Sequence, residues 1–380
     1  MTRSVAPVPF SGLLLAALAA SGALAACSGA RTPDPASPEG QEFACDSGEM
    51  RACGRVGIRY EEGVGVTVDM ARAAMLYDRA CIVGDAYACG RLAELYRNGR
   101  GVRTDLGRAA VLDQGACNGG QMPSCSRVAV QLAAGQGVPK DEIHAARLYQ
   151  IACNSGDMRA CANLGTLFAE SDKLTRDDKR AVDLFTAACD ANYGPGCSSL
   201  GTMVEAGRGT DPKPTQAVAL YQKACDLGAG SGCMLMGMAC EKGLGVSADS
   251  ARAVDFYQKG CDKGHAISCT FAGLAYEQGR GVDVSRVRST DLYSQACDLG
   301  HAPACAQVAE AYEQGHASPA SRAILYHDKA CAAGHTVSCV KLGRAYEKGE
   351  GVAVDVERAQ GLFRKACEGG DKLGCEAVRK

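Results

Sequence analysis

The chain has 380 residues, a formal net charge of -2, 5% aromatic residues, no tryptophan and 22 cysteines. A charge this close to balance lacks the basic stripe that nucleic acid requires, so that class of partner is excluded. So many thiols in one chain point to an oxidising compartment and a disulfide framework. Zinc, the competing use of cysteine, needs C-x2-C or mixed Cys/His clusters with converging ligands, and no such cluster is present.

Taken in order, residues 1–26 carry Arg3 and then an apolar Ala/Leu-rich run from Phe10 to Leu24. That run is too short to span a bilayer and reads as a signal-peptide core. It ends Leu24-Ala25-Ala26-Cys27, which resembles the lipobox of bacterial lipoproteins. The resemblance implies a mature chain that begins at an acylated Cys27. Ser28 rather than Asp behind it implies retention at the outer membrane, facing the periplasm or the cell surface. The alternative is plain secretory cleavage with an incidental cysteine. Residues 27–44 follow as the lipidated cysteine and a flexible tether, rich in Pro, Ser and Gly.

From residue 45 onward one frame recurs. Cysteines stand eight positions apart at Cys45 and Cys53, Cys81 and Cys89, Cys117 and Cys125, Cys153 and Cys161, and Cys189 and Cys197. The same spacing returns at Cys225 and Cys233, Cys261 and Cys269, Cys297 and Cys305, Cys331 and Cys339, and Cys367 and Cys375. The step is 36 residues, except for one step of 34 between Cys297 and Cys331. Self-similarity at this period predicts an all-α solenoid of about nine helix hairpins over 45–380, with a C-terminal capping helix after Cys375. Within a unit, Cys269, Ala272, Gly273 and Tyr276 have the spacing of one helical face, and Ala73, Leu76, Tyr77 and Ala80 have it for the second helix. Gly63-x-Gly65-Val66 and its counterparts end the first helix, and Asp69, Asp105, Asp141, Asp177, Asp249 and Asp355 stand where the second needs an N-cap. No strand precedes these glycines and they recur from unit to unit, which argues against a phosphate-binding loop. Repeat four breaks the turn pattern at Glu170-Ser171-Asp172-Lys173-Leu174.

Gly, or Asn192 in one unit, follows the first cysteine of each pair by three residues, a left-handed cap that closes one helix before the second cysteine opens the next. Ten local bridges are predicted from that turn. Pairing across one hairpin, Cys53 with Cys81 and so on, is equally open to the spacing. Cys27 and Cys240 remain outside the pairs; Cys240 replaces a tyrosine on an inward face and reads as a buried free thiol.

C-x7-C at this step, with Leu-Gly-x-x-Tyr-Glu-x-Gly-x-Gly-Val and Arg-Ala-x-x-Leu-Tyr-x-x-Ala-Cys, resembles the Sel-like repeat family in its secreted cysteine-rich branch. The resemblance implies antiparallel helix pairs in a right-handed superhelix related to tetratricopeptide arrays. It implies an adaptor or scaffold role. The cysteine-rich branch also carries a β-lactamase label, with β-lactam binding or slow hydrolysis described for some members.

The residues offer that label little. Ser338-Cys339-Val340-Lys341 matches S-x-x-K, but Ser338 fills the small-residue slot before each second cysteine, and no Lys-Thr-Gly or Ser-Asp-Asn completes the set. His265, His301 and His335, each four after a first cysteine, read as a solvent-facing ladder too widely spaced to share a metal. His327 takes an aromatic slot in repeat eight, whose shorter turn holds His316. Glu61, Glu205, Glu241, Glu277, Glu313 and Glu347 are expected to pair with Arg72, Arg252, Arg288, Arg322 and Arg358 at the next helix start. The functional expectation is therefore a monomeric lipoprotein scaffold that binds a protein or peptide on its concave face, with no catalytic residue, metal or cofactor, and membrane contact through the lipid alone. The alternatives are a β-lactamase-like hydrolase or peptidoglycan-fragment binder, and a purely structural spacer.

Overall fold

A computed structural model describes residue 34 and residues 37–315 and 322–378; the export segment, Cys27 and His316 lie outside the described residues. Twenty α-helices are present among the described residues. They run α1 (Pro38–Asp46), α2 (Met50–Glu62), α3 (Met70–Ile82), α4 (Ala86–Asn98), α5 (Leu106–Asn118), α6 (Met122–Ala134) and α7 (Glu142–Asn154). Next come α8 (Met158–Glu170), α9 (Asp178–Asp190), α10 (Gly194–Ala206), α11 (Pro214–Asp226), α12 (Gly230–Lys242), α13 (Ser250–Asp262) and α14 (Ala266–Gln278). The chain closes with α15 (Arg286–Asp298), α16 (Ala302–Glu313), α17 (Arg322–Ala332), α18 (Thr336–Lys348), α19 (Val356–Glu368) and α20 (Lys372–Val378).

Each even-numbered helix from α2 packs on the odd-numbered helix that follows it, and that helix packs on the next even one, so the chain is a solenoid of helix pairs. Even-numbered helices of successive hairpins also touch (α8 on α10, α10 on α12, α12 on α14, α18 on α20), and no odd-numbered pair approaches as closely. The array therefore curves with its even-numbered helices on the inside.

Most helices are 13 residues long, about 20 Å, and none could bury its apolar stripe alone. Cys53, Val56, Gly57 and Tyr60 on α2 meet Ala73, Leu76, Tyr77 and Ala80 on α3, all of them buried. The glycine in this set is required by close approach: a Cβ on Gly57 would stand 2.8 Å from the Tyr77 ring, and one on Gly273 2.9 Å from the Tyr293 ring. The six aspartates at the second-helix starts each accept the backbone N–H three residues on, which satisfies an otherwise orphaned donor. Asn192 takes the left-handed turn position that glycine holds elsewhere, with φ 61°.

Of the two pairings open to the spacing, the structure has the local one, joining cysteines eight residues apart. Cys45 is bonded to Cys53, Cys81 to Cys89, Cys117 to Cys125, Cys153 to Cys161, and Cys189 to Cys197. Cys225 is bonded to Cys233, Cys261 to Cys269, Cys297 to Cys305, Cys331 to Cys339, and Cys367 to Cys375. Cα separations run from 4.5 to 4.8 Å, because the left-handed turn folds the end of one helix back onto the start of the next. Each bridge pins the elbow between one hairpin and the next, and the cross-hairpin alternative, Cys53 with Cys81, does not occur. In the chain-entropy account a loop this short contributes about 2–3 kcal/mol.

Two boundaries differ from the sequence reading. Residues 38–44, assigned to the tether, are helical in α1. Ser37 caps it by accepting from the Gly40 N–H at 2.9 Å, and the Tyr60 hydroxyl donates to Glu42 at 3.0 Å, so packing on α2 overrides a Pro- and Gly-containing composition. The terminal helix, expected after Cys375, starts at Lys372 and contains that cysteine, as the first helix of a tenth unit.

Candidate protein-binding surface

The helix pairs are joined by a repeated buried polar contact. The Tyr77 hydroxyl donates to Glu61 at 2.7 Å, Tyr221 to Glu205 at 2.6 Å, Tyr257 to Glu241 at 2.8 Å and Tyr293 to Glu277 at 2.8 Å. Burial and then the adjoining carboxylate push these phenols well above their ordinary range, so they remain donors. The glutamates do not pair with the arginines assigned to them from sequence. Glu61 instead accepts two bonds from Arg91, at 3.1 and 2.5 Å, and Glu241 is bonded by Arg280, so the cation comes from a later hairpin. Arg72 bonds Glu42, and its guanidinium lies over the Tyr60 ring 4.4 Å from the centroid. Arg108 over Tyr96, Arg180 over Phe168 and Arg358 over Tyr346 repeat that stack at 4.7, 4.3 and 4.5 Å. The signal was present in sequence as a fixed twelve-residue offset from aromatic to arginine.

Cys240 occupies the ring position of that stack. It is a free cysteine with no exposed surface, burial raises its thiol pKa, and Arg252 reaches instead toward Phe256, 5.8 Å away. A thiol held protonated and out of solvent is inert.

The histidines correct another expectation. His265, His301 and His335 are half-buried at helix starts rather than solvent-facing. His265 and His335 cap their helices by accepting the backbone N–H of Ser268 and Ser338. His301 Nδ1 lies 2.9 Å from Thr270 Oγ1. No group of three or more His, Cys, Asp or Glu among the described residues could hold a metal ion.

Repeat eight holds the nearest approach to a catalytic array. Ser338 Oγ lies 3.1 Å from His327 Nδ1 and 2.9 Å from His335 Nδ1; His327 Nε2 lies 2.9 Å from Glu313, to which Lys341 donates at 3.0 Å. Burial works against ionised Glu313, but His327 and Lys341 outweigh it and hold that carboxyl below its usual value; burial lowers His327. A depression of about 580 Å³ opens beside this chain, lined by Glu313, His327, Lys341 and Arg344, but Ser338 does not line it and is 1% exposed. A nucleophile must reach its substrate, and this hydroxyl is consumed as a packing contact. His327 and Glu313 stand where Tyr293 and Glu277 stand one unit earlier, so the pair is the helix-to-helix contact in another chemistry.

Repeat four completes its turn without glycine. Ser171 Oγ accepts from the N–H groups of Lys173 and Leu174 at 3.0 and 3.2 Å and bonds Glu142.

The inner face is formed by residues of the even-numbered helices that stay at least partly exposed. Their two middle positions read Arg55 and Ile58 on α2, Arg91 and Glu94 on α4, Arg127 and Val130 on α6, and Asn163 and Thr166 on α8. They continue as Ser199 and Thr202 on α10, Leu235 and Met238 on α12, Phe271 and Leu274 on α14, Gln307 and Glu310 on α16, and Lys341 and Arg344 on α18. Buried positions repeat; these do not.

Fold and surface together define a disulfide-pinned α/α repeat protein with a variable inner face. Sel1 repeats match residues 51–85, 86–112, 123–157, 159–193, 195–228, 230–265, 266–301, 302–335 and 336–371. The chain belongs to the Sel1 repeat family, whose members are in general non-enzymatic scaffolds that bind proteins. No curated protein matches. Among solved structures, the chain is similar to a protective antigen of uropathogenic Escherichia coli displaying an SLR fold, with 24% identity, TM-score 0.54, 90% of this chain and 73% of that chain covered. It is also similar to a Sel1 repeat protein from Oxalobacter formigenes, with 18% identity, TM-score 0.57, 64% of this chain and 96% of that chain covered. Cysteine-rich protein B of Helicobacter pylori matches at 27% identity over 36% of this chain and 98% of that chain, with TM-score 0.30. Bridges in every hairpin suit an extracytoplasmic protein.

Proposed function

We propose that this protein is an exported lipoprotein scaffold, anchored through Cys27 at the outer membrane, that holds a protein or peptide partner on its concave face as a monomer and performs no chemistry. The observation supporting this reading is the contrast between buried positions, which repeat as Tyr–Glu and Gly–aromatic pairs, and inner-face positions, which change from Arg91 to Ser199 to Phe271 to Lys341. A spacer has no use for such variation; a recognition surface does. The test is site-specific photocrosslinking in living cells from Ser199 or Leu274 on the inner face and from Met75 on the outer. Adducts with a discrete protein from the inner positions alone support the reading, and adducts from Met75 alone overturn it.

A second reading, β-lactamase-like hydrolysis, has the Ser338–His327–Glu313 contacts in its favour and the burial of Ser338 against it. The scaffold reading expects no turnover of a chromogenic β-lactam and no labelling by a fluorescent penicillin. Turnover that Ser338→Ala abolishes would make this an enzyme.

A further inference from the structure

We infer that the partner segment seated at the centre of the concave face is uncharged and apolar, an inference that rests on the concave-face reading above and names its ligand chemistry. From α10 to α14 the two middle inner positions are Ser199, Thr202, Leu235, Met238, Phe271 and Leu274, none of them charged and all at least partly exposed. The carboxylates of these three helices, Glu205, Glu241 and Glu277, are each tied to a tyrosine hydroxyl, and Lys242 is their one cation, at the last residue of α12. The ends of the array differ. Arg91 and Arg127 face the interior at one end but are neutralised by Glu61 and Asp113; at the other end Lys341 bonds Glu313, and Arg344 makes no ion pair among the described residues.

Two features of the centre suit an apolar ligand. The Phe271 ring is stacked on Tyr257 at 5.2 Å between centroids, and Tyr257 is itself buried and held by Glu241, so this aromatic anchor is set before anything binds. Met238 on α12, packed against the same core, is unbranched and adapts its shape to what it meets. A charged segment laid across the middle positions of α10, α12 and α14 would lose hydration that none of their six side chains could replace with a counter-charge. Two helix-to-helix steps of about 8–10 Å lie between α10 and α14, a span that about five or six residues of extended chain cover, within reach of a peptide of about nine.

The experiment uses the disulfide-intact mature protein and a synthetic array of peptides about nine residues long. Leu, Phe and Met positions are varied independently of net charge, from acidic through neutral to basic. Hits are measured by fluorescence anisotropy at low and high salt. Neutral apolar peptides are expected to bind, with little salt dependence and roughly tenfold more tightly than charged peptides of the same apolar content. Leu274→Glu is expected to weaken them by roughly tenfold, and so is Thr202→Lys, whose exposed site keeps the fold intact; Met75→Lys on the outer side is expected to leave them unchanged. Preference for charged peptides, a steep salt dependence, or no binding by any member of the array overturns the inference. So does concentration-dependent self-association abolished by Leu274→Glu, which would make a second copy the occupant. If the inference fails while inner-face crosslinks persist, the assigned chemistry is wrong and the scaffold reading stands; if the crosslinks come from Met75 alone, both fall.

Discussion

Arg97 and Asp113 occupy, with their chemistry exchanged, the two places that Glu61 and Tyr77 occupy one hairpin earlier. Asp113 has no exposed surface and is bonded by Arg97 and by Arg127, whose Nη2 lies 2.8 Å away. Arg127 stands in the register of Arg91, the cation that serves Glu61. In these two hairpins the helix-to-helix contact sets a donor against an acceptor, with a cation from the next hairpin, and accepts either order.

Removing the acceptor alone should be costly, because two guanidinium groups then face each other without a carboxylate. Asp113→Ala is expected to destabilise the protein by about 3 kcal/mol. Amide exchange should locate the loss in α4 to α6. The combined variant Arg97→Glu, Asp113→Tyr and Ala93→Gly restores the usual pattern, frees room for the ring and should recover most of that loss.

The glycine opposite each ring is the second test. Gly273→Ala places a methyl group against the tethered Tyr293 ring and should cost about 1–3 kcal/mol, read as a lower thermal midpoint. Where alanine takes the glycine's place, at Ala129, residue 133 is alanine and the facing Tyr149 bonds Asn163 in place of a carboxylate. Adding Glu277→Ala to Gly273→Ala should therefore reduce the penalty of the glycine change.

His327 makes repeat eight acid-sensitive. Burial lowers its pKa below the ordinary value in spite of Glu313, and Lys341 opposes protonation while Glu310 favours it. A depressed folded pKa means that stability is fully present above the unfolded value, about pH 6.5, and is lost as pH falls through the folded one. His265 and His301, also lowered by burial, act in the same sense. Between neutral pH and pH about 5, the thermal midpoint of His327→Tyr should fall less than that of the parent protein. An equal fall would remove His327 from the account.

Cys240 should be silent while the protein is folded. Without reductant, iodoacetamide is expected to label nothing at this position until guanidinium unfolds the chain, because the thiol is both buried and protonated. Labelling of the native protein would show that the sixth hairpin opens.

What the sequence by itself determined is the local physics. The 36-residue step, the helix pairs, the glycine and Asn192 turns and the aspartate caps all involve neighbours a few residues apart, where periodicity and backbone preference decide. Cysteines eight apart across a tight turn belong there too, although their spacing alone left a second pairing open. Tertiary structure decided what crosses between hairpins. The partner of Glu61 is Arg91, 30 residues on, and that of Glu241 is Arg280, 39 residues on, because stacking sets which side chains face each other. The helical state of residues 38–44 comes from burial against α2, which outweighs their weak propensity. The inner face, and with it the apolar centre at Leu235 and Phe271, exists only once the even-numbered helices are brought side by side, since a position on an isolated amphipathic helix does not reveal which neighbour will leave it uncovered.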